Sequence, residues 1–160
     1  MSEHIEITPE IIEIRHYLHA HPERSFKEYE TSAYIEKLLR AHDIEVLNNP
    51  LETGVVGLIR GEQPGPPIAL RADIDGLPIQ EDTGLPFSSV NDGVMHGCGH
   101  DLHMSYMLGA AFWLAKRRKR IKGSIKLLFQ PAEELGLGAK AMVDAGLLAD
   151  VSAAIGAHNN

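Results

Sequence analysis

Three short apolar runs, each leading into polar residues able to do chemistry, constrain this chain more than any other feature. Ile68-Ala69-Leu70-Arg71-Ala72-Asp73 leads to Asp75, Ser124 to Gln130 leads to Glu133 and Glu134, and Val151 to Ala157 leads to His158. Each has the length and content of a strand, and the last two read as buried. Between them Met107, Leu108, Ala111, Phe112, Leu114 and Ala115 predict a helix from about Asp101 to Arg118. Another is expected from near Pro131 to Ala145, with Gly146 placed to cap it. Strands alternating with helices predict an α/β layered fold. In such open sheets ligands bind beyond the carboxyl ends of the strands, so these polar groups can meet although they are far apart in the chain.

The upstream half is simpler. Thr8-Pro9-Glu10 reads as a helix start, with apolar spacing through Ile11, Ile12, Ile14 and Leu18 and a stop at His21-Pro22. A second helix is expected from about Phe26 to His42, burying Tyr34, Ile35, Leu38 and Leu39. Thr53 to Arg60 reads as a strand and Gly61 to Pro67 as a turn, so a hairpin with Ile68–Asp73 is expected. Gly76 to Gly93 reads as a surface loop.

At 160 residues the chain has the length of one domain, and its net charge of −7 disfavours nucleic acid and anionic membranes as partners. Met1 to Glu6 lacks a basic stretch followed by an apolar run, and no apolar segment reaches membrane-spanning length, so a cytoplasmic location is expected. Cys98 is the only cysteine, so no internal disulfide can form.

Cys98 lies in His96-Gly97-Cys98-Gly99-His100-Asp101-Leu102-His103, a glycine-punctuated turn entering a helix. A thiolate and an imidazole two positions apart suit zinc and similar metals, and Glu134 and His158 add an oxygen and a second nitrogen. Taken singly, each has a structural explanation: a small core cysteine, histidines at a helix start, acids at the positive end of a helix dipole. Four ligand-type sites at strand ends or turns favour a metal instead. The tandem acids add to this, because metal-assisted hydrolysis needs one carboxylate on the metal and another free to take a proton from water. If Glu134 serves the metal, Glu133 can serve the water.

Three other readings are weaker. His16, His19 and His21 lie on or near a helix whose residues explain themselves. Lys116 to Arg120 is basic, but cations at a helix C-terminus meet its dipole, and no aromatic residues are interleaved for base stacking. Cys98 and His100 as nucleophile and base would be poorly placed for a thiol–imidazole bond and would leave the acidic pair idle.

Four motifs carry a resemblance: Asp73-Ile74-Asp75-Gly76-Leu77-Pro78-Ile79-Gln80-Glu81, Met95-His96-Gly97-Cys98-Gly99-His100-Asp101, Gln130-Pro131-Ala132-Glu133-Glu134 and Gly156-Ala157-His158-Asn159. From His19-Ala20-His21-Pro22-Glu23 to its last residue the chain resembles the metal-dependent amidohydrolases that include hippurate hydrolase, auxin-conjugate hydrolase and N-acetyl-diaminopimelate deacetylase, within the aminoacylase and carboxypeptidase metallopeptidase group. The resemblance implies a zinc-peptidase-like catalytic domain with a mixed, largely parallel sheet and flanking helices. It implies two divalent ions, zinc, manganese, cobalt or nickel, held by Cys98, His100, Glu134 and His158, with Cys98 able to bridge them. Glu133 would be the general base, and Asp73 would orient a ligand. The implied substrate is a small N-acyl amino acid, and the full-length family implies a homodimer.

Members of that family are more than twice as long. Residues 1–160 would therefore be the N-terminal portion of the catalytic domain, without the inserted dimerisation domain or the C-terminal half, and would hold fewer ions. Gly97 stands where the family usually has alanine. The rival reading is a metal-binding or structural remnant that binds metal without turnover.

Overall fold

The computed structural model describes residues 7–159, so the reading of Met1 to Glu6 lies outside the described residues. Helix α1 spans Pro9–Ala20 and starts as the sequence predicts, the Thr8 hydroxyl accepting the Ile11 amide. Helix α2, Tyr29–Ala41, buries Ile35 and Leu39 completely, with Tyr34 and Leu38 packed partly exposed beside them. The strands are β1 (Glu45–Val46), β2 (Val55–Arg60), β3 (Ile68–Asp73), β4 (Ser124–Gln130) and β5 (Ala153–Gly156). Between β3 and β4 runs α3 (His100–Ala115), and between β4 and β5 runs α4 (Gly138–Asp144). No helix of the described residues is long and apolar enough to cross a membrane.

The strands form one sheet in the order β1-β2-β4-β3-β5. Strands β4, β3 and β5 run parallel, while β1 and β2 extend the sheet antiparallel. The expected hairpin of β2 with β3 does not form, because β4 lies between them, with Leu58 opposite Lys126 on one side and Leu70 opposite Leu127 on the other. Strand β4 is buried from Ile125 to Gln130. A strand with one wholly apolar face, Ile125, Leu127 and Phe129, and its other face also covered loses most if left at an edge, so it takes the centre and pairs along both sides. Side-chain alternation then divides the core. Leu127 and Phe129 pack with the helices α1, α2 and α3, whereas Leu128 packs with Val56, Ala69 and Met142 of α4.

Two further expectations need correction. The helix expected from Pro131 begins at Gly138, because Ala132 adopts φ 49° and the amides of residues 132–134 donate to carboxylates elsewhere in the fold. Strand β5 was expected to be buried but is exposed along its length, paired with β3 on one side only among the described residues. The basic segment does what its position requires. Arg118 donates to the carbonyls of Ala115 and Asp43, and Arg117 to that of Trp113.

Gly146 follows α4 at φ +73° with no heavy atom near the position of a Cβ, so its role is purely conformational. Replacing it with Ala should cost about 1 kcal/mol of left-handed strain, read as a lower urea midpoint with unchanged slope.

The loop between residues 76 and 93 is tied down at Glu81, which accepts from Thr83, the Ser89 amide and His19. Burial alone would raise the pKa of this carboxyl, but those hydrogen bonds outweigh it and hold the group at about 2. A depressed folded-state pKa stabilises above the unfolded value and loses that contribution as pH falls through the folded one. Stability should therefore fall as pH drops from 5 towards 2, and less steeply in Glu81→Gln, as thermal melts across that range would show.

Candidate metal centre

The carboxyl ends of β3, β4 and β5 meet the N-terminus of α3. Gly99 caps that helix at φ +76°, a left-handed conformation that glycine adopts without the penalty of a Cβ. The turn delivers Cys98 and His100 together.

His100 is buried and donates from Nδ1 to the backbone carbonyl of Asp75 at 2.7 Å. That bond assigns the tautomer and leaves the Nε2 lone pair free. Nε2 has no hydrogen-bond partner among the described residues, and neither does the buried Glu134 Oε1 that lies 3.7 Å away. Buried polar atoms are rarely left so. Cys98 Sγ, a ring nitrogen of His100 and a carboxylate oxygen of Glu134 lie within 4.8 Å of one another. Tetrahedral zinc with ligand bonds of about 2.0–2.3 Å needs its donors about 3.3–3.8 Å apart, so imidazole, carboxylate and sulfur fit one ion after small side-chain rotations.

The local charge also favours a cation. Hydrogen bonding to Glu134, burial and the nearby carboxylates of Glu133 and Asp73 push the Cys98 thiol up to about 11. For His100, burial opposes the charged form, but Asp75 and Asp73 outweigh it and raise the pKa. A surplus of negative charge thus surrounds the converging donors.

Glu133 Oε2 lies 3.6 Å from His100 Nε2, close to the same point. Its side chain is 34% exposed against 17% for Glu134, so Glu133 is the acid more open to water. The His158 ring packs edge-on against that of His100, centroids 5.6 Å apart. It is in a second group with Asp73, His100 and His103, and its Nε2 lies 3.9 Å from Asp73 Oδ2. Asp73 is wholly buried and bonds none of the four expected ligands; it accepts from His103 Nδ1 at 2.5 Å and Arg71 Nη1 at 2.7 Å.

Asp75 has a role that sequence reasoning did not assign. Its Oδ1 accepts the Glu133 amide at 3.0 Å, and its Oδ2 accepts the Glu134 amide at 3.1 Å and the Ser25 hydroxyl at 2.6 Å. Burial would raise its pKa, but bonds from His100, Ser25 and the two amides outweigh it and lower it. Glu28, fully buried, accepts the Ala132 amide at 2.8 Å, and its pKa is raised by that burial. The Asp-Ile-Asp spacing was the available signal for Asp75; nothing local points to Glu28, whose partner is 104 residues away. His16 stacks on Phe87, His19 sits between Asp101 and Glu81, and His21 bonds the Tyr17 carbonyl, so these three do not converge.

Sulfur, nitrogen and oxygen donors gathered where strand ends meet the start of α3, beside a more exposed acid, are of the types that a hydrolytic metal centre would require. The ancestry agrees: the chain belongs to peptidase family M20/M25/M40, whose profile matches residues 69–160, more than half of it. It is 51% identical over 150 residues to the N-acetyl-L-cysteine deacetylase of Bacillus subtilis, an alignment covering 94% of this chain and 36% of that protein. It is 49% identical over 156 residues to thermostable carboxypeptidase 1 of Saccharolobus solfataricus, covering 96% and 40%. The crystal structure of a dinuclear metal-binding M20 peptidase from Bacillus subtilis matches with a TM-score of 0.93 at 50% identity, over 94% of this chain and 42% of that one. The chain thus spans well under half the length of each relative.

Proposed function

We propose that this chain is the N-terminal portion of the catalytic domain of an amidohydrolase that cleaves the amide bond of N-acyl amino acids. The observation that carries the reading is the buried, unpartnered pair His100 Nε2 and Glu134 Oε1 beside the accessible Glu133. Cys98, His100, Glu134 and His158 would hold divalent ions, zinc, manganese, cobalt or nickel. When bound, such ions supply Lewis acidity for the scissile carbonyl and for water. Glu133 takes the proton from the attacking water and passes it to the leaving amine nitrogen. Asp75, through the two amides it accepts, keeps Glu133 and Glu134 in one orientation and divides their tasks. The deacetylase and the carboxypeptidase among its relatives support an amide whose amine side is an amino acid.

The test is metal content of the purified chain with hydrolysis of N-acetyl-L-cysteine and hippurate after zinc or manganese is added. Metal with turnover supports the reading. Metal without turnover fits an incomplete site, which restoring the missing segment should reactivate and a binding remnant would not, and no metal overturns the centre altogether.

Metal removal should also be visible in stability. An ion that binds only the folded chain adds about 2.7 kcal/mol at a free concentration of 100 Kd, and chelation removes it. Thermal melts with zinc and with a chelator should differ accordingly, and Glu134→Ala should abolish the difference.

A further inference from the structure

His103 lies with Asp73, His100 and His158 in a group whose donor atoms are close enough for one ion, yet its hydrogen bonds exclude it as a ligand. Its Nε2 accepts the Asn159 backbone amide at 2.9 Å. An amide only donates, so Nε2 carries a lone pair and the proton sits on Nδ1, which donates to Asp73 Oδ1 at 2.5 Å. No lone pair remains for a metal.

One helical turn on, the Tyr106 hydroxyl donates to the Ala157 carbonyl at 2.5 Å. Residues three apart share a helix face, so α3 grips the chain immediately before and immediately after His158. Among the described residues the pairing of β5 with β3 ends before this, at Gly156 opposite Arg71. His158 Nδ1 in turn donates to the Asn159 carbonyl at 2.5 Å, which leaves Nε2 as its free nitrogen, facing Asp73.

We propose that His103 and Tyr106 are positioning residues that clamp the backbone around His158 and aim its Nε2 into the metal centre. Asp73 works through this clamp, fixing the His103 tautomer that Asn159 needs. The inference rests on the metal-centre reading above and assigns the part of metal affinity that depends on His158.

The experiment is cobalt titration of the chain, followed through the thiolate-to-cobalt charge-transfer band of Cys98 and through bound stoichiometry. The reference is the affinity lost in His158→Ala. His103→Asn can still donate to Asp73 but cannot reach the Asn159 amide. It should keep the Cys98 band and lose at least tenfold in the His158-dependent affinity, and adding His158→Ala to it should cost nothing more. His103→Gln, which can present a carbonyl to Asn159, should recover part of the loss. Tyr106→Phe loses only the Ala157 bond, should weaken the same affinity severalfold, and decides the matter if the His103 variants do not fold.

Native-like affinity in both His103→Asn and Tyr106→Phe would overturn the clamp, as would additive losses with His158→Ala or no loss in His158→Ala itself. In those cases the Cys98 band survives and the centre of Cys98, His100 and Glu134 stands, although no loss in His158→Ala would also remove His158 from its ligands. Absence of the band from the unaltered chain would overturn the centre instead.

Discussion

Gln in place of Glu133 should lower hydrolysis of an N-acyl amino acid by ~1000-fold while leaving metal binding intact, because a positioned general base contributes about 10²- to 10⁴-fold. The geometry separates the two properties. Glu133 and Glu134 lie 3.6 and 3.7 Å from His100 Nε2, but the Glu133 side chain is 34% exposed against 17% for Glu134, whose Oε1 is buried without a partner. Gln keeps the size of Glu133 and its backbone bond to Asp75. Steady-state rates and cobalt affinity, measured on the same preparation, check both halves. Turnover within tenfold of the unaltered protein would remove Glu133 from its role, and lost metal would make it a ligand.

The second large effect concerns a residue that touches neither metal nor substrate in this reading. Asp75→Ala deletes one buried carboxylate and strands the Glu133 and Glu134 amides together with the Ser25 hydroxyl. An unsatisfied buried donor costs about 1–3 kcal/mol, so the expected loss of stability is about 2–4 kcal/mol, allowing for water reaching some of the vacated space. The acidic turn should loosen with it and metal affinity should fall as well. Asp75→Asn gives little rescue, because its amide nitrogen must face one of the two backbone donors. Urea unfolding with and without metal would measure both effects, and a midpoint close to that of the unaltered chain would show that the turn holds itself.

Where local chemistry decides, the reading from residues and the structure agree. The Thr8-Pro9 start of α1, the limits of β4 and Gly146 after α4 each depend on a few neighbouring residues. The gathering of Cys98, His100 and Glu134 was legible because the donor types are distinctive and lie at a strand end and in the turn entering a helix. The Pro131 helix was misplaced because Pro and tandem acids are good helix-start residues, and no local signal shows that Glu28 and Asp75 will take the amides of residues 132–134. The β2–β3 hairpin failed for a similar reason. Its turn is plausible alone, and only competition for the sheet's centre displaces it.

The sequence by itself therefore determined the alternation of strands and helices, the donors available for a metal, and the acid available for a proton. These follow from side-chain periodicity and functional-group type, which a linear reading preserves. Tertiary structure alone decided that β4 enters between β2 and β3, that His103 spends both nitrogens on Asp73 and Asn159, and that Asp75 holds the acidic pair from 58 and 59 residues away. Those outcomes depend on which buried donor meets which acceptor once the layers close, and unpaired polar groups are too costly in a core for the chain to leave that choice open.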